Sequence, residues 1–109
     1  MGRNYGELIN DILERMYSIE NAIEGKTFED FDKDEMLRDS ILYKLIVIGE
    51  ASNQLPDEIY ERYQHIPWHD MRGLRNILTH EYFRTDARRI WEIITGDLPE
   101  TRRQIEKLG

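Results

Sequence analysis

Hydrophobic residues recur at three- and four-residue intervals along most of this chain, which is the spacing of one face of an α-helix. The first such set predicts a helix from about Tyr5 to Glu24, and Gly25 is the residue type that commonly ends a helix. The apolar positions of this helix are Leu8, Ile9, Ile12, Leu13, Met16, Ile19 and Ile23.

A second set predicts a long helix from about Lys33 to Leu55. Its apolar residues lie on more than one side, which is typical of a central helix with several neighbours. Gly49 lies inside this helix at a cost of about 1 kcal/mol relative to alanine. We expect a close helix crossing there, at a point where a side chain would not fit.

Shorter elements separate the long helices. Thr27 opens a short helical turn that ends near Asp32. Pro56 lies in the first turn of another short helix, followed by acidic residues, and Pro67 ends that helix. These positions predict one or two short helices.

Two further main helices follow. One begins at Trp68 or His69, and the other is capped by Asp86 and is kinked or broken near Pro99. No segment of four or more residues alternates convincingly as a strand. The pattern therefore predicts a single all-α domain over residues 1–109, with four main helices, one or two short helices and a kinked C-terminal helix.

Composition narrows the class of protein. The chain has 109 residues and no cysteine, so a disulfide framework and a thiolate zinc site are both excluded. No apolar run approaches the ~18 residues that span a bilayer, and the first residues, MGRNYGEL, lack the apolar core of a signal peptide. We expect a soluble cytoplasmic domain without a membrane span.

The net charge of −7 argues at first against nucleic acid, but the charge is unevenly distributed. Residues 1–61 hold 15 acidic and 6 basic residues, whereas residues 62–103 hold 6 acidic residues, 8 arginines and no lysine. Arginine is well shaped for forked contacts to phosphate. The alternative is that these arginines pair with the acidic half of the chain.

The candidate chemistry lies in the stretch RNILTHEYF, which contains Arg75, His80 and Tyr82. On a regular α-helix Arg75 and His80 would point about 140° apart, and His80 and Tyr82 about 200° apart. One helix therefore does not aim all three at a small substrate. Two copies packed across a two-fold axis could supply an arginine and a histidine each to a shared cleft.

Histidine can take or give a proton near neutrality, and arginine can stabilise a phosphorane or a phosphate ester. Two histidines, one as base and one as acid, would suffice to cleave RNA through its own 2′-hydroxyl. No carboxylate cluster is placed to hold magnesium, and neither a metal nor a cofactor is expected.

Structural roles are the alternatives. A helix with arginine, histidine and tyrosine among leucines is usually an interface or the edge of a core. His65 and His69 have the spacing of a metal pair, but Pro67 would break the helix that would align them. Trp68 and Trp91 are expected in a core or an interface rather than as base-stacking platforms.

The chain resembles the HEPN superfamily, and within it the HepT toxins of toxin–antitoxin pairs. The family motif of arginine, four residues, histidine, any residue and tyrosine stands here as Arg75, NILT, His80, Glu81 and Tyr82, with the polar Asn76 after the arginine. Three segments in order carry the resemblance, namely DEMLRDSILYKLIVIGEASNQLP, IPWHDMRGLRNILTHEYF and IWEIITGDLP. Glu81 stands where many HepT proteins have glycine, and an anion there could raise the pKa of the histidine or repel RNA.

The resemblance implies a HEPN-type helical bundle and a metal-independent endoribonuclease that works as a homodimer, with both motifs in one cleft. Arg75 and His80 would be the catalytic pair, and Asn76 and Tyr82 would support the site. The implied partner is an MNT-type nucleotidyltransferase antitoxin that transfers AMP to Tyr82, as in a type VII-like toxin–antitoxin pair. AMP there would add negative charge and bulk in the RNA cleft.

A second class of function stays open. The chain could be a non-catalytic HEPN module that dimerises and binds a nucleotidyltransferase or a nucleotide. The acidic N-terminal half and Glu81 favour this interpretation, and the intact set of Arg75, Asn76, His80 and Tyr82 favours the nuclease.

Overall fold

The structure is a computed structural model that describes residues 4–79 and 86–108. Within those two ranges the secondary structure is helical, without a strand. The α-helices are α1 (Tyr5–Ile23), α2 (Phe28–Lys33), α3 (Glu35–Asn53), α4 (Asp57–Arg62), α5 (Trp68–Gly73), α6 (Ala87–Glu92) and α7 (Leu98–Glu106). A 3₁₀ segment, Leu74–Thr79, continues α5, and a π-helical segment, Ile93–Asp97, joins α6 to α7.

This order agrees with the predicted all-α bundle. The four main helices are α1, α3, α5 with its 3₁₀ continuation, and α6 with α7, while α2 and α4 are the short ones. Such an arrangement is the one expected of the HEPN superfamily, and the predicted fold class is confirmed.

Side chains fix where the N-terminal helices begin. Asn4 and Asp34 accept hydrogen bonds from the backbone N–H groups of Glu7 and Leu37, each at 3.0 Å. Thr27 begins α2 as predicted and forms a reciprocal capping box with Asp30. These bonds satisfy donors that the first turn of a helix would otherwise leave unpaired.

Helix α3 is the centre of the bundle. It packs against α1, α2, α5 and the 3₁₀ segment, and Ile41, Leu45 and Ile48 on it are fully buried. The other wholly enclosed apolar side chains come from α1 and α7: Ile12, Met16, Ile19 and Ile105. The prediction of a central helix is thus confirmed, because its apolar residues face several neighbours at once.

The C-terminal helix is interrupted close to the predicted position. Pro99 follows the π segment, and it lacks the N–H group that would donate to the carbonyl of Thr95 in a regular α-helix. The wider π turn at Ile93–Asp97 accommodates this missing bond. α7 then continues regularly and packs on α1.

None of the helices in the described part of the chain is both long enough and apolar enough to cross a bilayer.

Candidate active site

The 3₁₀ segment carries the described part of the candidate site. The sequence predicted a third main helix from Trp68 or His69, and within it the α-helix ends at Gly73 and the tighter 3₁₀ form runs over Leu74–Thr79. A 3₁₀ helix turns by about 120° per residue, so the regular α-helix on which the angles of the motif were based does not extend over Leu74–Thr79. Six residues is also long for a 3₁₀ helix, and such stretches often mark functional positions.

Arg75 lies against the backbone of α3 at Gly49. A Cβ atom placed on Gly49 would be 2.3 Å from the backbone nitrogen of Arg75, a distance that real Cβ atoms do not adopt, and 3.0 Å from its Cα. The prediction of a close crossing at Gly49 is confirmed. The partner at this crossing is the arginine of the candidate site.

The side chain of Arg75 faces the next residue of α3. One of its terminal nitrogens, Nη1, lies 3.9 Å from Oε1 of Glu50, and the two side chains are 38% and 53% exposed. This distance is an ionic contact that is too long for a hydrogen bond. Because it is half exposed and loosely held, the guanidinium can reach a phosphate group in solvent.

Asn76 follows Arg75 on the 3₁₀ segment and is exposed to solvent. His80, Glu81 and Tyr82 lie outside the described residues. The structure therefore brings Arg75 and Asn76 to one exposed edge of the bundle, beside α3. Their placement relative to the histidine and the tyrosine stays a prediction.

A polar and aromatic cluster anchors the start of α5. The buried indole of Trp68 donates through Nε1 to the carbonyl of Tyr63 at 3.0 Å and packs edge-on against Tyr60. The hydroxyl of Tyr60 donates to the carbonyl of Ser52 on α3 at 2.6 Å, and Arg72 covers its ring. Burial raises the pKa of Tyr60 above its ordinary value of 10.0. The cluster fixes α5, and through it Arg75, relative to α3.

The two tryptophans have the structural roles expected of them. Trp68 is buried, and Trp91 is half-buried and packs against Phe28 and Phe31 with ring centroids 6.3 and 5.4 Å away.

His65 and His69 lie on either side of a helix start. Pro67 immediately precedes α5, so only His69 is on that helix. No group of three or more metal-ligating side chains occurs among the residues that the structure describes.

A cleft of about 680 Å³ separates α5 from the C-terminal helices. His69 and Asp70 line one wall, and Arg89, Asp97 and Glu100 line the other. Arg75 does not line this cleft. The cleft has mixed charge, and Asn76 is likewise not among the described residues that line it.

The ion pairs of the described C-terminal arginines are of two kinds. Arg75 and Arg102 pair with Glu50 and Glu20, which belong to the acidic half of the chain. Others form ion pairs within their own helices, at Arg62–Glu58, Arg89–Glu92 and Arg103–Glu100, and of these three glutamates only Glu58 also belongs to the acidic half. Pairing with the acidic half, the structural alternative considered above, therefore explains some of these arginines but not all.

Two contributors to the site were not found from the sequence. The sequence placed Glu50 only within the segment DEMLRDSILYKLIVIGEASNQLP and Tyr60 only within a short helix, and it predicted no role for either side chain. The signal that could have found Glu50 was its position directly after Gly49, because a close crossing brings the neighbours of the glycine to the partner helix as well.

Comparisons with known proteins agree with this picture. The family model for the HepT-like ribonucleases matches residues 7–108. The chain is 33% identical to "Probable ribonuclease HepT" of Thermococcus cleftensis, an alignment that covers 99% of this chain and 98% of the relative. It is 36% identical to a "Putative RNase" of Caldanaerobacter subterraneus, over 92% of this chain and 89% of that protein.

A third relative is a longer protein of Methanocaldococcus jannaschii whose name combines a gamma-glutamylcyclotransferase with a "putative RNase". The chain is 37% identical to it over 92% of its own residues and spans 45% of that protein's length. No solved structure matches the chain.

Proposed function

Because the chain belongs to the HepT-like ribonuclease family, we propose that it is a metal-independent endoribonuclease that works as a homodimer. The observation that carries the proposal is the half-exposed Arg75, whose backbone is packed against Gly49 at the edge of the bundle. Such an arginine is fixed at its base and accessible at its tip, as a phosphate-binding group must be.

His80 supplies the proton transfer in this proposal. One histidine takes the proton of the 2′-hydroxyl, the 2′-oxygen forms a bond to phosphorus, and the bond from phosphorus to the 5′-oxygen breaks. The second histidine gives its proton to that leaving oxygen. Arg75 stabilises the charge on the phosphorane, and Asn76 and Tyr82 support the site. The products are a 2′,3′-cyclic phosphate and a 5′-hydroxyl, and DNA is not cut because it lacks the 2′-hydroxyl.

The surface of α3 next to Arg75 supports a dimer. Met36 and Tyr43 are 84% and 63% exposed, which is unusual for such large apolar side chains, and they lie fourteen and seven residues before Glu50, respectively. Residues spaced by seven lie on one stripe of a helix because seven residues make nearly two turns. The stripe Met36–Tyr43–Glu50 therefore leads directly to Arg75. A second copy packed on this stripe would bring the two motifs together and supply the second histidine.

The cleavage test compares the wild type with His80→Ala. Purified proteins are incubated with RNA and with DNA of the same sequence in the presence of a metal chelator, and the ends of the products are mapped. We expect the wild type to yield cyclic phosphate ends from RNA alone and His80→Ala to lose more than 100-fold in rate. No RNA cleavage by the wild type, with or without metal, would refute the nuclease.

The dimer test uses Tyr43→Glu, which places a charge on the exposed stripe without touching the buried core. We expect light scattering to give a dimer for the wild type and a monomer for the variant, together with loss of cleavage. A wild type that is monomeric at micromolar concentration and still cleaves RNA would remove the two-histidine mechanism.

We further propose that a nucleotidyltransferase of the MNT type acts as the antitoxin. It would transfer AMP from ATP to the phenol of Tyr82, with a new bond from oxygen to the α-phosphorus and release of pyrophosphate. The added negative charge would repel RNA from Arg75. Mass spectrometry of the protein co-expressed with such a partner should show AMP on Tyr82 in the wild type and none in Tyr82→Phe.

The second candidate is a HEPN module that binds a nucleotidyltransferase or a nucleotide without catalysis. The observation that favours it is the carboxylate of Glu50, which lies 3.9 Å from Arg75 and opposes the approach of a phosphate backbone. Tight binding of the partner or of a nucleotide by a wild type that cleaves no RNA would support this candidate.

A further inference from the structure

Two consecutive residues of α3 meet Arg75 in different ways. Gly49 leaves room for the backbone of Arg75, and Glu50 contacts the guanidinium at the end of the same side chain. Neither contact depends on the residues beyond Thr79. We propose that Gly49 and Glu50 are positioning residues for Arg75, an inference that rests on the ribonuclease function proposed above.

Gly49 determines where the Arg75 side chain begins. The atoms that a Cβ would meet at 2.3 and 3.0 Å belong to the backbone and the Cβ of Arg75, so a rotamer change cannot relieve the overlap. Any larger residue must push the 3₁₀ segment away from α3. Displacement of a catalytic cation by about 1 Å is enough to lower a rate about 100-fold.

Glu50 determines where the side chain points. On an α-helix the next residue lies about 100° further round, so Glu50 flanks the crossing that Gly49 makes possible. Its carboxylate faces one terminal nitrogen of Arg75 and, as far as the described residues are concerned, leaves the rest of the guanidinium fork available for phosphate.

Two general properties of ion pairs indicate that Glu50 is not there for stability or for affinity. Exposed ion pairs contribute little to folding, and here the two side chains are 38% and 53% exposed. A carboxylate beside a phosphate-binding arginine also weakens RNA binding, because it repels the phosphate and competes for the same cation. Orientation of the arginine is the remaining benefit.

This role predicts opposite effects on binding and on turnover. Glu50→Gln keeps the shape of the side chain and removes its charge, so we expect KM for an RNA oligonucleotide to fall about threefold and kcat to fall about tenfold. If the carboxylate only repelled RNA, its removal would lower KM and leave kcat unchanged. The matched control is Glu58→Gln, which removes a carboxylate from an exposed pair with Arg62 at 4.0 Å and should change neither constant.

Gly49→Ala tests the backbone contact. We expect cleavage to fall at least 100-fold, whereas Gly73→Ala should leave the rate within about twofold, since no atom lies within 4 Å of a Cβ added at Gly73. Gly73 is two residues before Arg75, so the pair of variants compares one chemical change at two nearby sites. Circular dichroism shows whether Gly49→Ala is folded. If it is not, the positioning role is tested by Glu50→Gln alone.

A readout without catalysis separates this inference from the proposed nuclease. The ¹⁵Nε signal of the Arg75 side chain is compared by NMR in the wild type, Glu50→Gln and Glu58→Gln, and we expect only Glu50→Gln to shift it. If Glu50→Gln shifts the signal although the wild type cleaves no RNA, the positioning role is supported and the proposed nuclease is refuted. Normal cleavage with an unchanged kcat and an unchanged Arg75 signal in Glu50→Gln would overturn the positioning role and keep the nuclease.

Discussion

Arg102 and Arg75 both reach from the C-terminal half of the chain to a glutamate of the acidic half, but they are held very differently. Arg102 donates through Nε and Nη2 to the two oxygens of Glu20, each at 2.9 Å, and through Nη1 to Glu106 at 3.0 Å. Arg75 approaches Glu50 with one nitrogen at 3.9 Å. The Arg102 side chain is 18% exposed and that of Arg75 is 38% exposed.

The two contacts show how arginine can be used in two ways in one chain. A forked contact with a carboxylate uses the donors of a guanidinium and ties α7 to α1. A single loose contact with the described part of the chain leaves donors of Arg75 available for a ligand. The number of hydrogen bonds that a cation already makes therefore distinguishes the structural arginine from the candidate catalytic one better than sequence position does.

The substitution that should change a measured quantity most is Arg75→Lys, which tests whether Arg75 acts in RNA cleavage. Arg75→Lys keeps the positive charge but replaces the planar fork with a single ammonium, so we expect RNA cleavage to fall more than 100-fold. The free energy of unfolding should change by less than about 0.5 kcal/mol, because the side chain is half exposed. Single-turnover cleavage and urea unfolding measure the two quantities.

Arg102→Lys is the matched control for that substitution. It should leave cleavage nearly unchanged and lower stability. A large loss of stability in Arg75→Lys, or a large loss of cleavage in Arg102→Lys, would contradict the division of roles.

The second effect concerns stability alone. Arg102→Met keeps much of the aliphatic length of the side chain and removes all three charge-assisted hydrogen bonds, so we expect a loss of about 1–2 kcal/mol in the free energy of unfolding. The carboxylate of Glu20, only 23% exposed, would then lose its main partner. Urea titration monitored by circular dichroism measures the change, and a loss below about 0.5 kcal/mol would place this pair among ordinary surface contacts.

The sequence predicted the bundle well because hydrophobic spacing determines which helix faces are buried. It also predicted the crossing at Gly49, since a glycine inside a helix is costly and close packing is a common compensation. The 3₁₀ segment was not predicted, because over the six residues Leu74–Thr79 the periods of 3.0 and 3.6 residues do not differ enough to be read from apolar positions.

The contact between Glu50 and Arg75 was missed for a different reason. The two residues are far apart in sequence, and only the relative rotation of α3 and the 3₁₀ segment makes them neighbours. The motif identified Arg75 and Asn76 as candidate residues, but it carries no information about which neighbouring element holds them.

A third prediction uses pH to separate the two pairs. The hydrogen bonds from Arg102 lower the pKa of Glu20 below its ordinary value of 4.5. Glu20 therefore binds protons less readily in the folded than in the unfolded chain, so its stabilising effect is fully present above pH 4.5 and is lost as the pH falls through the lowered value.

Glu20→Gln should accordingly be less stable than the wild type at pH 7, and the difference should shrink steadily as the pH falls below 4.5. Urea unfolding from pH 7 to pH 3 measures it. Glu50→Gln provides the comparison, since its loose contact should give little difference in stability at any pH. A gap for Glu20→Gln that stays constant to pH 3 would mean that the charge of Glu20 does not contribute.

The smallest effect tests whether distance or burial matters more. Arg103 lies 2.8 Å from Glu100, which is closer than Arg102 lies to Glu20, but its side chain and that of Glu100 are 56% and 65% exposed and both belong to α7. Water screens this pair, and a contact between residues three apart in one helix does not join two elements. We expect Arg103→Met to lower the free energy of unfolding by less than about 0.5 kcal/mol. A loss of stability equal to that of Arg102→Met would show that a short distance alone stabilises the fold. The difference in stability between the Arg102 and Arg75 contacts would then be explained by their distances rather than by their burial.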